Sequence, residues 1–363
     1  LRGVKEKRML GALMFEEIEE IARNVEEMEK SRSELASRLR FNSGKILFSE
    51  AFEKEMFYPV KSEGVNCSVA AVDGGILSEE FHGFDLLIGR SVGVVFEYEN
   101  SKVKTHKYFP SAIPPMKYDI KNGLDMRDMN WHKSLFRIRG EIECATEIME
   151  KHKPKYLMLD GSIAPLVSDK PADDSQVRVL YDEVAQKYQQ LYESAQKNGV
   201  TLLGVIKDSR GRRFNEILEK HAEVVGNNLR NASDTNFLFF LLEKGERTFA
   251  FRYSNEPARH QVLKDLGQWA DKILTFYLKA VELDRPIRVE FLSGGRGFDE
   301  IASLVYSLSQ LNRRYAYPAV LIEADLRAAM DGHAMQRVRD ALALRLSKSS
   351  SALRLRRNTR PFR

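Results

Sequence analysis

Two short stretches constrain the fold of this chain more than any other part of it. Val69-Ala70-Ala71-Val72-Asp73-Gly74-Gly75 is a run of small and β-branched apolar residues ending in an acid and two glycines, the pattern of a strand buried on both faces. Tyr156-Leu157-Met158-Leu159-Asp160-Gly161-Ser162 repeats the pattern about ninety residues on. An aspartate at the end of a buried strand costs little if it faces a cleft, and paired glycines let the backbone turn with positive φ or approach a ligand closely. Side by side and parallel, roughly 4.8 Å apart, such strands deliver Asp73 and Asp160 to one carboxyl edge of the sheet. Two carboxylates so placed repel each other, and one pKa rises unless a cation neutralises them. Oxygen-only ligands at that point suit Mg²⁺ or Mn²⁺.

The 363 residues allow one large domain with additions, or two domains. Hydrophobic residues at 43% and charged residues at 30% describe an ordinary globular protein. Cys67 and Cys144 form neither a CxxC pair nor a zinc spacing, which fits structural thiols in a reducing, cytoplasmic setting. No apolar run approaches the ~20 residues that cross a bilayer, and no signal-peptide pattern opens the chain. No membrane partner is therefore expected. The chain starts at Leu1 and not at methionine, so an unusual start or a few further residues are expected. Of the net charge of +5, seven positive charges lie in Arg345, Lys348, Arg354, Arg356, Arg357, Arg360 and Arg363, with no acid from Ala341 onward, leaving −2 for the rest. That tail reads either as a polyanion contact or as a solvated, disordered end.

Taken in order, residues 1 to about 40 form a proline-free helical arm with Leu10, Leu13, Met14, Ile18 and Ile21 at helical spacing. Its stripe faces either the core or a second subunit. Leu86 to Tyr98 and Lys102 to Phe109 read as antiparallel strands joined at Glu99-Asn100-Ser101. The three prolines between Pro110 and Asn130 make that segment a loop, and a helix is expected from about Ser134 to Lys151. A helix over Ser175 to Lys197, capped by Asn198-Gly199, precedes a third buried strand, Val200 to Ile206. A strand, a hairpin, then helix, strand, helix and strand is the element order of an RNase H-like sheet. Beyond it come strand-like Phe249 to Tyr253, a helix over about Gln261 to Ala280, the strand Ile287 to Leu292, and a helix from Phe298 to about Leu311. A last helix contains Asp325 and Arg327.

Phosphodiester hydrolysis with two metal ions needs carboxylates converging on sites about 3.5 to 4 Å apart. Asp73 and Asp160 supply strand-end ligands, and the helix before the second strand can bring Glu141 to the same edge. Glu143 lies about 200° further around that helix, so the two cannot both face the site. Solvent exposure is the plain alternative for each. Lys207, at the end of the third strand, can set its ammonium against a phosphate or hydroxide, while Asp208 either pairs with it or begins a turn with Ser209. Arg210, Arg212 and Arg213 suit phosphate contacts or an ordinary charged loop equally. Asp325 is a candidate last ligand, with His333 two turns beyond and a helix-face acid as the alternative. Ser293-Gly294-Gly295-Arg296-Gly297 lacks the Walker ending, and no His-Glu-x-x-His occurs, so a phosphate loop and zinc hydrolysis are disfavoured.

Ala70-Ala71-Val72-Asp73-Gly74-Gly75, Arg139-Gly140-Glu141, Leu159-Asp160-Gly161-Ser162, Ile206-Lys207-Asp208-Ser209 and Tyr317-Pro318 through Glu323-Ala324-Asp325 together resemble the NurA nuclease family of archaea. The resemblance spans about Val69 to Met330. It implies an RNase H-like mixed α/β sheet flanked by helices in a nuclease domain (61–335, core about 65–210), to which the sequence adds the N-terminal helical arm (1–60) and a basic tail (336–363) that has no counterpart in the family. It also implies a Mn²⁺-dependent DNA nuclease, Mg²⁺ being the other metal, with 5′ to 3′ exonuclease and single-strand endonuclease activity. The implied partners are DNA, a second copy of the chain and the hexameric HerA translocase, in processing DNA ends for recombination. By motif, Asp73, Glu141, Asp160 and Asp325 would be metal ligands and Lys207 catalytic. The family varies between an acid and a histidine at the last position, so Asp325 and His333 both stay open. Two other classes compete: a sugar-kinase or actin-like ATPase, which normally duplicates its domain, and a non-catalytic subunit guiding DNA into a motor.

Overall fold

The computed structural model describes residues 2–42, 48–221, 225, 229–346 and 352–353, and for 2–14 and 16 the backbone alone. In chain order the elements are α1 (Arg2–Asn42), β1 (Phe57–Pro59), β2 (Ser68–Glu80), β3 (Asp85–Glu99), β4 (Lys102–Phe109), β5 (Lys117–Lys121), α2 (Met126–His152) and β6 (Tyr156–Asp160). There follow α3 (Arg178–Asn198), β7 (Thr201–Ile206), α4 (Arg213–His221), α5 (Asp234–Leu241), β8 (Glu246–Thr248), β9 (Phe251–Arg252), β10 (Ile273–Lys279), β11 (Ile287–Leu292), α6 (Phe298–Leu308), α7 (Ala319–Ala328) and α8 (Gly332–Arg345).

All eleven strands among the described residues share one mixed sheet in the order β1-β8-β10-β11-β7-β6-β2-β3-β4, with β5 also on β3 and β9 on β10. Strands β2, β3 and β4 are antiparallel neighbours, while β6 runs parallel to β2 and β7 parallel to β6. This is the RNase H-like arrangement, extended beyond β7 by antiparallel β11 and β10. Strand alternation then divides the core. Val69 and Ala71 of β2 and Tyr156 and Met158 of β6 face α6 and α7. Ala70, Val72, Leu157 and Leu159 face α2 and α3. A third cluster joins Leu35 and Leu39 of α1 to Phe214, Phe237, Phe249 and Phe251. Nearer its start, α1 leaves Ile18, Ile21, Val25 and Met28 exposed. The arm therefore reaches the core only at its end, and the described residues of the predicted stripe, Ile18 and Ile21, do not cover it. Leu10, Leu13 and Met14 lie where only backbone is described, and most of the basic tail lies outside the described residues.

Three sequence expectations need correction. The segment Pro110 to Asn130 is not all loop. Its prolines end at Pro115, so Lys117–Lys121 is free to pair with β3, and Asp125, nine residues before Ser134, caps α2 by accepting the Asp128 N–H at 2.8 Å. The helix over Gln261 to Ala280 is a 3₁₀ segment, Leu263–Trp269, followed by β10. Gly267, at φ 56° and ψ −128°, interrupts the helical path. All seven β10 residues are buried between neighbouring strands, and such an apolar run has no periodicity to separate helix from strand. Finally, β2 does not end at Asp73 but continues to Glu80 against β3.

Candidate metal centre

Asp73 owes its position to an ending in the neighbouring strand. The parallel pairing of β2 with β6 stops at Val72 opposite Leu159, while β2 itself runs on, Asp73 facing Val92 of β3. Asp160, the last residue of β6, still pairs with Val205 of β7. Alternation turns both aspartates to the face covered by α7, which carries Asp325. Tyr108 of β4 donates to Glu323 Oε1 at 2.7 Å, tying α7 to the sheet. One carboxylate oxygen from each of Asp73, Asp160 and Asp325 lies within 4.8 Å of the others. Asp73 is buried, Asp160 intermediate and Asp325 exposed, so the group opens to solvent beside α7. His333 is exposed on α8 and outside this group.

The two glycines after Asp73 serve close approach, not a turn. Neither has positive φ, and each clears one face of the strand for a different element. A Cβ on Gly74 would lie 2.7 Å from Glu141 Oε1, and one on Gly75 would lie 2.3 Å from the Ala328 carbonyl oxygen at the end of α7. Gly161 does turn, with φ 127°. Glu141 thus reaches the sheet from the α2 side, through the gap at Gly74, and is not one of the three grouped acids. Its carboxylate pairs with Arg137 one turn earlier. Glu143 faces away, 3.0 Å from Lys117 and 3.1 Å from Lys187.

Burial first, and repulsion from Asp160 second, push the Asp73 carboxyl up to about 7. Burial also raises Glu141, to about 8, against the pull of the Arg137 guanidinium. Burial alone would lower Lys207, yet Asp160 holds it above its ordinary value, with Nζ 3.2 Å from Oδ2. Lys207 therefore turns to Asp160 and not to Asp208, whose side chain is exposed. The Tyr317 hydroxyl donates to Asp160 Oδ1 at 2.6 Å and lies 3.0 Å from the Val205 carbonyl oxygen. The loop after Asp160 is held from β11: Glu290 Oε2 accepts from Ser162 Oγ at 2.6 Å and the Ile163 N–H at 3.2 Å. An all-oxygen donor set under mutual repulsion fits a hard divalent cation.

Of the three arginines after Lys207, only Arg210 is exposed. Arg212 donates to the carbonyl oxygens of Leu229 at 2.9 Å and Ala232 at 3.2 Å, and Arg213 bonds Asn255. Those two hold the segment around α4, because carbonyls at the end of a loop need donors that the sequence does not reveal. Sequence reasoning missed Arg137, although its spacing of four from Glu141 on one helix was a usable signal. It also quoted Tyr317 without a role, and no local pattern marks a tyrosine as the partner of a distant aspartate.

A model of the NurA domain matches residues 67–330. Among solved structures the fold is similar to the NurA nuclease from Sulfolobus solfataricus, with a TM-score of 0.55 and 17% identity over 81% of this chain and 88% of that one. It is also similar to NurA bound to dAMP and manganese, with a TM-score of 0.54 and 11% identity over 93% of this chain and 99% of that one. At those identities the likeness speaks for the fold. No curated protein sequence matches. With the domain model covering well over half of its length, and the RNase H-like sheet that bears the aspartates, the chain belongs to the NurA family.

Proposed function

We propose that this chain is a divalent-metal-dependent DNA nuclease. The observation that carries the reading is the meeting of Asp73, Asp160 and Asp325 within 4.8 Å beside the Lys207 ammonium. These three acids hold the metal, and Glu141 stands behind Gly74 with its carboxyl group against Arg137. When bound, the metal supplies an activated water and neutralises charge on the phosphate and the leaving oxygen. The protein's own groups do the rest. Tyr317 and Lys207 fix Asp160 in one orientation, and Lys207 keeps a positive charge at the cleft where a phosphate oxygen arrives. Arg210 extends that charge along the DNA backbone.

Manganese is the proposed metal, with Mg²⁺ the second choice, a reading supported by the similar protein bound to dAMP and manganese. The finer activity, 5′ to 3′ exonuclease and single-strand endonuclease at DNA ends, rests on family membership, as does action with a HerA-type hexameric translocase. A homodimer draws support from α1. The exposed residues Ile18, Ile21, Val25 and Met28 are spaced three, four and three apart, the stripe by which two helices pair. No described helix is long and apolar enough to cross a membrane. The test is digestion of end-labelled linear and single-stranded DNA with Mn²⁺, with Mg²⁺ and with EDTA. Metal-dependent cleavage is expected, and intact DNA under all three conditions would refute the reading.

A further inference from the structure

Between α6 and α7 the chain makes a tight turn, Asn312 bridging to Tyr315 and Asn312 Oδ1 accepting the Arg314 N–H at 2.8 Å. The turn is anchored behind its tip, where the Ala316 N–H donates to Asp284 Oδ2 at 2.7 Å. Arg313 and Arg314 are exposed at the tip, with no ion pair among the described residues. Tyr315 is 43% exposed, and its hydroxyl has no hydrogen-bond partner among the described residues. Other tyrosines here spend that group on the fold: Tyr108 on Glu323, Tyr156 on Glu300 and Tyr181 on Asp265. Tyr315 also stands beside the metal centre. Its ring is 6.0 Å from that of Tyr317, which bonds Asp160 and carries the Lys207 ammonium 4.7 Å from its centre.

We propose that Tyr315 is a stacking platform for the unpaired base next to the phosphate at the metal centre, with Arg313 and Arg314 on the neighbouring phosphates. This rests on the nuclease reading and adds to it a base-contacting subsite, on the Lys207 side of the cleft, for the unpaired strand. An exposed aromatic ring accepts any base, because every base has a π face, and arginines beside it follow the backbone without reading sequence. The anchored turn holds the ring in place before DNA arrives, so little ordering is left to oppose binding.

The test is fluorescence anisotropy of the full chain in EDTA, with labelled oligo(dT) and the same strand carrying abasic sites. Tyr315→Ala is expected to weaken oligo(dT) binding about tenfold or more, Tyr315→Trp to retain it, and the abasic strand to bind wild type and Tyr315→Ala alike. Arg313→Gln with Arg314→Gln should flatten the salt dependence by about two phosphate contacts. Unchanged oligo(dT) binding by Tyr315→Ala, or equal losses on both strands, overturns the proposal. Digestion with Mn²⁺ separates the two readings. If wild type cleaves and the alanine variant binds normally, only the stacking role fails. If wild type shows the tyrosine effect without cleaving, only the nuclease reading fails, and a chain that does neither ends both.

Discussion

Replacing Asp73 with asparagine tests the metal centre through stability as well as chemistry, because the structure sets the sign of both. Asp73 is 7% exposed, and burial with Asp160 beside it moves its carboxyl pKa from 3.8 to about 7. The folded pKa exceeds the unfolded one, so the native state keeps a proton that the unfolded chain releases. That contribution is fully present below about pH 4 and is lost as pH rises through about 7. A gap of about 3 in pKa, at about 1.4 kcal/mol each, sets a ceiling of about 4 kcal/mol on the strain of the charged, metal-free site. Asparagine keeps the Oδ1 that accepts the Gly74 N–H at 2.7 Å and removes only the charge. Thermal unfolding in EDTA is the assay. At pH 8 the Asp73→Asn protein should melt above wild type by roughly 5 °C, at pH 4 the two should nearly coincide, and Mn²⁺ should raise the melting temperature of wild type alone. The variant should also fail to digest DNA. A variant less stable than wild type at pH 8, or equally stabilised at pH 4 and pH 8, would show that buried like charge does not shape this cluster.

The same proton governs metal uptake: below about pH 7 the ion must displace it, so calorimetric titration should show Mn²⁺ affinity falling about tenfold per pH unit, and a flat profile would contradict this. Gly75→Ala sets a methyl group against the Ala328 carbonyl and displaces the end of α7, so nuclease activity should fall about a hundredfold. Gly295→Ala, whose Cβ meets nothing closer than 3.8 Å, is the control, and equal activity in the two proteins would refute the steric account. Tyr317→Phe removes the donor to Asp160 Oδ1 and should lower kcat by about ten- to a hundredfold with KM little changed, as steady-state digestion would report. Ile18→Glu with Ile21→Glu should turn a dimer into a monomer in sedimentation, and a dimer that survives does not use this stripe.

How far the site could be read from sequence varied with how local its causes are. Asp73 and Asp160 each close a run of apolar residues, so two buried strands bearing acids were legible locally, while their meeting was conditional on the parallel pairing that β2 and β6 make. The orientation of Glu143 away from Glu141 followed from helix geometry in the same way. Gly74 and Gly75 were visible as glycines but not as clearances, since what each avoids, Glu141 on one face and Ala328 on the other, belongs to distant parts of the chain. The arginines after Lys207 show the opposite limit. Charge type marked all three alike, whereas only Arg210 stays exposed once the loop carbonyls have taken Arg212.

By itself, the sequence determined that two buried strands would each carry an acid after an apolar run, because that pattern lies within a few residues of the chain. Tertiary structure decided which further groups meet them there. Asp325 lies on α7 and Tyr317 on the loop leading into it, Lys207 follows β7, and Glu141 reaches the sheet only because Gly74 clears the face that α2 packs against. Even the identity of β10 was decided at that level, since seven consecutive buried residues carry no period and only the hydrogen bonds of flanking strands select an extended backbone.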